Sequence, residues 1–341
     1  MRNPAAARWI ILLFKLRAVL VLAVLMVIFS AMMPAFLTLN NLSILSKHVA
    51  IGAILSVGMT FVILAGGIDL SVGSIAGLSG MIAGGVLTFG VTGHPAGAAT
   101  AVLLALGVSC IVGSLNGVLV TRLGVAPFIA TLGTLYMARG AALLLSNGKT
   151  FPNLGGTGEQ AATWFPSIGQ GALLHVPLPV WMAVAIGGLA IALAAKTPLG
   201  RHIYAVGGNE RAARLAGISV QRVRMFTYLC SAACAGLVGL VIASQLEAAH
   251  PATGESFELN AIAAVVLGGT SLMGGRGSIG GSLIGACVIG VLADGLVMMG
   301  ISEFWQMVVK GAVIVLAVTI DQLQSRVQAR LLPALQRQGA L

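Results

Sequence analysis

The feature that most constrains this chain is a series of apolar runs, each close to the length needed to cross a lipid bilayer, repeated almost from end to end. A helix rises 1.5 Å per residue, so about 20 apolar residues cover the hydrocarbon, and runs near 18 or longer mark candidate spans. The runs are Ala18 to Leu37, Val49 to Ala65, Val72 to Phe89, Ala98 to Val120, Pro127 to Leu145, Pro179 to Ala195, Met225 to Ser244, Ala261 to Leu272, Ile279 to Met299 and Phe304 to Ile320. They predict an all-α polytopic membrane bundle of about ten transmembrane helices. Composition agrees, because 58% of the residues are hydrophobic and 8% charged, against about a quarter charged in a soluble domain. Too little polar surface remains to coat a globule in water.

The cations set the orientation. With the N-terminus inside, alternation of the spans puts the basic residues at 2–17, 122, 196–224, 276 and 326–337 on one side and leaves Lys47 and Lys149 on the other. That asymmetry fits the positive-inside rule and predicts cytoplasmic termini. It also accounts for the net charge of +10 without nucleic acid, since the cations are scattered and lack the aromatic residues of a strand-binding groove. The first run follows Arg2, Arg8, Lys15 and Arg17 as a signal peptide would. Its length and the lack of a clear small-x-small site favour an uncleaved anchor.

No linker or charged tail of domain size interrupts the spans, so residues 1–341 form one integral domain. Its parts are a tail at 1–17, a bundle at 18–320 with a basic inner segment at 196–224, and a tail at 321–341. The outer segment 146–178, rich in Gly and Pro, reads as an irregular cap. Cys110, Cys230, Cys234 and Cys287 fall within spans and behave as small apolar residues. No metal site is expected, because no His or acidic residue accompanies Cys230 and Cys234, and the Glu247, His250, Glu255 and Glu258 loop reads as solvated. No Ser/His/Asp or Cys/His arrangement has a catalytic spacing, which argues against an enzyme.

A faint internal repeat relates Gly66-Gly67-Ile68-Asp69-Leu70 and Gly73-Ser74-Ile75 to Gly268-Gly269-Thr270-Ser271-Leu272 and Gly277-Ser278-Ile279. Gly66 and Gly67 end a span, and Asp69 and Ser71 suit a fresh helix start. Asp69, Ser71 and Ser74 then either line the solute path or its gate, or Asp69 simply caps a helix at the inner interface. Gly268, Gly269 and Gly277 allow close helix approach and a flexible elbow. Gly275 to Gly280 also matches GxGxxG, but membrane-length flanks replace the βαβ unit that a nucleotide site requires. Asp294 and Lys310 lie inside spans, and an intramembrane pair would remove the cost of two isolated charges. Arg139, near the end of its span, is expected to snorkel outward.

Within the basic segment, Asn209 is a strong N-cap, Glu210 suits the first turn, and Glu210 with Arg214 makes an i,i+4 pair. Gly217 supplies a left-handed stop. The predicted helix, Glu210 to Ala216, exposes Ala212, Ala213, Leu215 and Ala216, and is too short to stand alone in water. It is either a solvated loop that sets topology or a coupling element docked on a cytoplasmic partner.

GGIDLSVGS from Gly66 to Ser74, TPLGRHIYAVGGNERAARLAGI from Thr197 to Ile218, GGTSLMGGRGSIGGSLIGA from Gly268 to Ala286 and FLTLNNLSIL from Phe36 to Leu45 together resemble the ribose/arabinose/xylose-type ABC transporter permease family. The resemblance runs from about Phe36 to Val318. It implies a permease dimer in the bacterial inner membrane, a cytoplasmic ATP-binding subunit that carries ATP and Mg, and a periplasmic substrate-binding protein. It also implies that Asn209 to Ile218, with Glu210, Ala213, Arg214 and Gly217, is the coupling helix. This chain would then hold no cofactor, bind no nucleic acid, and pass a sugar or small polyol across the lipid bilayer by alternating access. An ion-coupled secondary transporter is the competing reading, but it needs a relay of intramembrane carboxylates, for which only Asp294 and Asp69 are available.

Overall fold

A computed structural model describes residues 4–91, 97–155, 164–316 and 318–319. Among the described residues the regular structure is helical apart from one small hairpin and an isolated bridge between Phe151 and Ala249. In order come α1 (Pro4–Met32), α2 (Leu39–Leu64), α3 (Val72–Phe89), α4 (Ala98–Thr121), α5 (Pro127–Leu144), α6 (Ser167–Gln170), β1 (Ala172–Leu173), β2 (Val176–Pro177), α7 (Leu178–Lys196), α8 (Pro198–Gly208), α9 (Glu210–Leu215), α10 (Val220–Leu246), α11 (Phe257–Leu267) and α12 (Ile279–Met298). Residues 303–316 are helical as well. The hairpin is antiparallel and pairs Ala172 with Pro177 and Leu173 with Val176.

Local chemistry fixes where the helices begin. Thr38 and Ser278 accept N-terminal amides of α2 and α12 through their hydroxyls, and Pro127 and Pro198 open α5 and α8, where a missing N–H costs nothing. α10 packs against α2, α3 and α4, while α12 packs against α1, α2 and α11. The core between them contains Ile54, Met59, Ile75 and Val238. A second core, toward the hairpin end, gathers Met81, Phe151, Phe165 and Leu240. A third, at the α9 end, joins Leu64, Ile203, Val206, Ala213 and Val223.

α4, α5 and α7 keep large apolar faces bare, including Leu103, Ile111, Ile129 and Leu189. Such faces need lipid or another apolar surface. By length and composition, seven helices among the described residues can cross a membrane. The sequence predicts about ten by the window rule. The remaining three expected spans fall on the apolar stretch Arg17–Met32, on α11, and on the helical residues from 303, at the edge of what is described.

α11 differs from the span expected at Ala261 to Leu272. Its 11 residues are about 16 Å long, half the hydrocarbon thickness. The preceding segment, expected as a solvated loop, is partly buried. It folds back along the first turns of α3, so close that a Cβ on Gly73 would overlap the Gly254 carbonyl and the Glu258 carboxylate. Arg139 holds it there, donating from Nη1 to the carbonyls of Pro251 and, at 2.9 Å, Thr253. The guanidinium is therefore tied to backbone inside the protein rather than turned outward to the interface.

Candidate functional site

α9 is a short helix locked at both ends. Asn209 accepts the Ala212 amide at 2.9 Å through its side chain. At the other end Gly217 is left-handed, with φ +80°, and the Ile218 and Gly217 amides donate to the Ala213 and Arg214 carbonyls, each at 3.0 Å. These two bonds make a Schellman cap. Ala213 is buried, 4% exposed, against the cluster of Ile203, Val206, Val220 and Val223. This corrects its expected place on the outer face. Ala212, Ala216 and Leu215 do face outward, and Leu215 is 86% exposed.

Glu210 fastens the helix laterally. Its Oε1 accepts from Arg214 Nη2 and its Oε2 from Arg224 Nη2, both at 2.7 Å, so α9 is tied to the first turn of α10. Chiefly the Arg214 hydrogen bond, with help from Arg224, holds the Glu210 carboxyl below its ordinary value despite the opposing effect of burial. Beside this ion triad lies a pocket of about 240 Å³ whose lining includes Thr121, Pro127, Gln221 and Arg224.

The glycines singled out in the sequence meet immediately behind α9. Gly66 and Gly269 are left-handed, at φ +78° and +90°. Each completes a Schellman cap, Gly67 to Val62 at 2.9 Å on α2 and Thr270 to Val265 at 3.1 Å on α11. The two repeated segments thus end two helices in the same way. Gly275 N donates to the Leu64 carbonyl at 3.0 Å. Gly207, near the end of α8, sits against both, and a Cβ there would overlap the Leu64 oxygen. Gly268 similarly allows the Gly281 backbone to approach α11, and Gly277 leaves room for Thr270. Tyr204 on α8 adds a hydrogen bond to the Gly277 carbonyl at 3.0 Å.

Asp69 is fully buried, with Ser71 beside it. Its Oδ1 accepts the Ser71 amide at 3.0 Å and the Ser71 hydroxyl at 2.6 Å, while Oδ2 accepts from Ser231 on α10 at 2.8 Å. Asn116 on α4 donates to Ser71 at 2.9 Å, and Thr134 on α5 donates to Asn116 at 2.7 Å. One hydrogen-bonded chain therefore joins the start of α3 to three other helices. Ser74 is buried a turn further along α3 and lies outside this chain. Among the described residues no cation pairs with Asp69. Asn116, Thr134 and Ser231 were not singled out in the sequence. Each shares its span with other polar residues, so nothing local in the sequence marked these three.

Asp294 and Lys310 are not brought together. Asp294 Oδ2 accepts from Asn41 Nδ2 at 3.0 Å instead, and Lys310 lines a separate pocket between α2, α11 and α12. The correction has a simple cause: the amide at the start of α2 satisfies the carboxylate without bringing a second charge into the bundle.

Comparison with known proteins places this geometry in a family. Residues 41–318 match the family described as branched-chain amino acid transport system / permease component. The chain is 43% identical over 311 residues to the ribose import permease protein of Bacillus subtilis (strain 168), covering 91% of this chain and 94% of that one. It is 36% identical over 307 residues to the D-allose transport system permease protein of Escherichia coli (strain K12), covering 90% and 91%. With the xylose transport system permease protein of Haemophilus influenzae (strain ATCC 51907 / DSM 11121 / KW20 / Rd) the identity is 32% over 372 aligned positions, covering 91% and 98%. No solved structure matches the chain at the same stringency. A family match over most of the chain, together with relatives aligned along nine tenths of both sequences, means that this multi-pass membrane protein belongs to that family of transport-system permease components.

Proposed function

We propose that the chain is the membrane subunit of an ABC importer in the bacterial inner membrane, moving a monosaccharide or related small polyol by alternating access. The observation that carries this is identity of 32–43% to permeases named for ribose, allose and xylose. A cytoplasmic ATP-binding subunit, loaded with ATP and Mg, docks on α9; a periplasmic substrate-binding protein docks at the hairpin end; two copies of this chain enclose the path. Both termini are cytoplasmic in this arrangement.

The geometry supports α9 as the coupling element. It is capped at both ends, fastened to α10 through Glu210, and exposes Leu215 to a partner. Behind it, Gly207, Leu64 and Gly275 link α8 to the ends of α2 and of the loop before α12. Displacement of α9 by the closing ATPase would reach helices that cross the bundle. An ion-coupled carrier needs a relay of ionisable groups. Asp69 is enclosed by serine hydroxyls, and Asp294 is bonded to Asn41.

The test is reconstitution in vesicles with the ATPase subunit and the binding protein, following radiolabelled D-ribose, D-allose and D-xylose. Accumulation of at least one sugar with ATP and none with ADP is expected. Accumulation driven by a proton or Na⁺ gradient without ATP would overturn the reading.

A further inference from the structure

The segment before α11 enters the bundle instead of skirting it. Ala249 lies against Gly84, Thr253 against Gly77 and Gly254 against Gly73, so the segment descends along α3 by about 16 Å, at 1.5 Å per residue. Gly73 is itself about 24 Å inward of Phe89, where α3 ends. A second measure agrees. Ser231, which bonds Asp69 just before α3, stands about 16 Å from one end of α10 and about 22 Å from the other. Gly254 is therefore near mid-depth in a bundle whose hydrocarbon surround is about 30 Å thick.

Two polar side chains are exposed at that level. Glu255 adjoins Gly254 and is exposed; among the described residues its carboxylate closes no hydrogen bond or ion pair. Arg139 is near enough to act on it by charge but is engaged with the Pro251 and Thr253 carbonyls. Tyr136 is 70% exposed. It lies two residues from Thr134, a member of the mid-depth hydrogen-bonded chain, and three residues before Arg139, on the same side of α5. Elsewhere at this depth the surface is of the kind that lipid covers: Ile111 on α4, two residues from the Gly113 that meets Ala232, is 67% exposed. A carboxylate against lipid at mid-depth is costly, and intramembrane ionisable groups face a bundle interior or water. A tyrosine hydroxyl belongs at the headgroup level unless it has a polar neighbour. Glu255 and Tyr136 are on the outside of the protomer, so the water that they need lies between protomers.

Resting on the importer reading above, we propose that the face carrying Glu255 and Tyr136 is a wall of the water-filled path between two copies, and that these two side chains meet the carried polyol there. The carboxylate can accept two sugar hydroxyls, and the phenol offers a ring face to the C–H side of a sugar and a hydroxyl to its rim.

Water-soluble methanethiosulfonate reagents attack a thiolate, which forms in water and not in lipid. In the full complex with ATPase and binding protein, and with Cys110, Cys230, Cys234 and Cys287 replaced by Ala, Glu255→Cys and Tyr136→Cys should react about tenfold or more faster than Ile111→Cys. Rates as slow as that of Ile111→Cys at both positions would mean a dry contact and overturn the proposal. Contact with solute is tested by Glu255→Gln and Tyr136→Phe, which remove no packing, with whichever of D-ribose, D-allose and D-xylose the wild-type complex accumulates as the probe. Each should lower the sugar accumulated per ATP hydrolysed by about 3–10-fold, the effect of one hydrogen bond, at an unchanged melting midpoint. Wild-type ratios in both variants overturn that contact. If the wild type accumulates none of the three sugars with ATP, the importer reading fails and the contact with it, while the labelling rates still show whether this face is wet.

Discussion

The Gly275 amide donates to the Leu64 carbonyl at 3.0 Å, bonding the loop before α12 to the last turn of α2 through backbone alone. Gly207 closes the same junction from α8. Three elements far apart in sequence therefore touch through backbone atoms.

Gly207→Ala should accordingly be destabilising. The new methyl would overlap the Leu64 oxygen and stand 2.6 Å from the Gly275 nitrogen, backbone atoms that cannot rotate away, and overpacking of this kind costs about 1–3 kcal/mol. Gly208→Ala, whose Cβ meets nothing within 4 Å, is the control. Melting in detergent should show a lower midpoint for the first and an unchanged or slightly higher one for the second.

Ala213→Pro tests whether α9 transmits force. It removes the Ala213 amide that donates to Asn209 at 2.9 Å and drives the ring into that carbonyl, at about 3 kcal/mol. A six-residue helix has no such reserve. The cations that set topology are unchanged, so the variant should reach the membrane normally. In vesicles it should lose sugar accumulation and the stimulation of ATP hydrolysis by binding protein. Full uptake at normal expression would mean that α9 only fixes topology.

Acid should loosen α9 through Glu210. Its folded value is depressed, chiefly by Arg214, so its contribution is complete above the ordinary glutamate value of about 4.3 and is lost as pH falls from there through the folded value. With the carboxylate 37% exposed, the effect is about 0.2–1 kcal/mol. Wild type should lose more melting temperature between about pH 7 and about pH 4 than Glu210→Gln does. Equal losses would remove Glu210 from the account.

Much of this was legible in the sequence because it rests on local chemistry. Asn209, Glu210, Arg214 and Gly217 act within two helical turns, so their spacing is enough to write down the capped helix. Gly66 with Gly67 announced a helix end for the same reason, whereas Gly268 and Gly269, inside the run Ala261 to Leu272, read as close-approach glycines, and nothing local foretold the end of α11 at Leu267. Contacts across the fold left no such trace. Asn41 reaches Asp294 over 253 positions, and nothing along the chain favours it over Lys310 as the partner. Ala213 turns inward because α9 lies against α8 and α10, a packing choice that a six-residue pattern is too short to reveal. The segment 247–256 looked solvated because its acidic residues are visible in the sequence, whereas the Arg139 contacts and the small face of α3 that bury part of it are not.

Asp69 should tolerate an amide better than truncation. Asp69→Ala leaves the Ser71 amide and the Ser231 hydroxyl without their acceptor in a dry core, a loss of about 1–3 kcal/mol. Asp69→Asn keeps one oxygen for Ser71 and can donate to Ser231, so less than half of that loss is expected. Thermal midpoints of the two purified variants decide it, and equal destabilisation would indicate that the negative charge itself is needed.

Topology can be read with two exposed leucines at opposite ends of the bundle, Leu215 on α9 and Leu173 on β1, the latter 55% exposed. In a background without the native cysteines, Leu215→Cys should react with a membrane-impermeant reagent only from the cytoplasm and Leu173→Cys only from outside. Labelling of both from one side would refute the orientation proposed.

The backbone junction of Gly207, Leu64 and Gly275 also has a mechanical meaning. Side-chain contacts yield by changing rotamer, but this junction has no rotamers to change. If α9 is the coupling element proposed above, a shift of α8 and α9 would reach the end of α2 and the loop before α12 through backbone contact, with no side-chain rearrangement in between to absorb it.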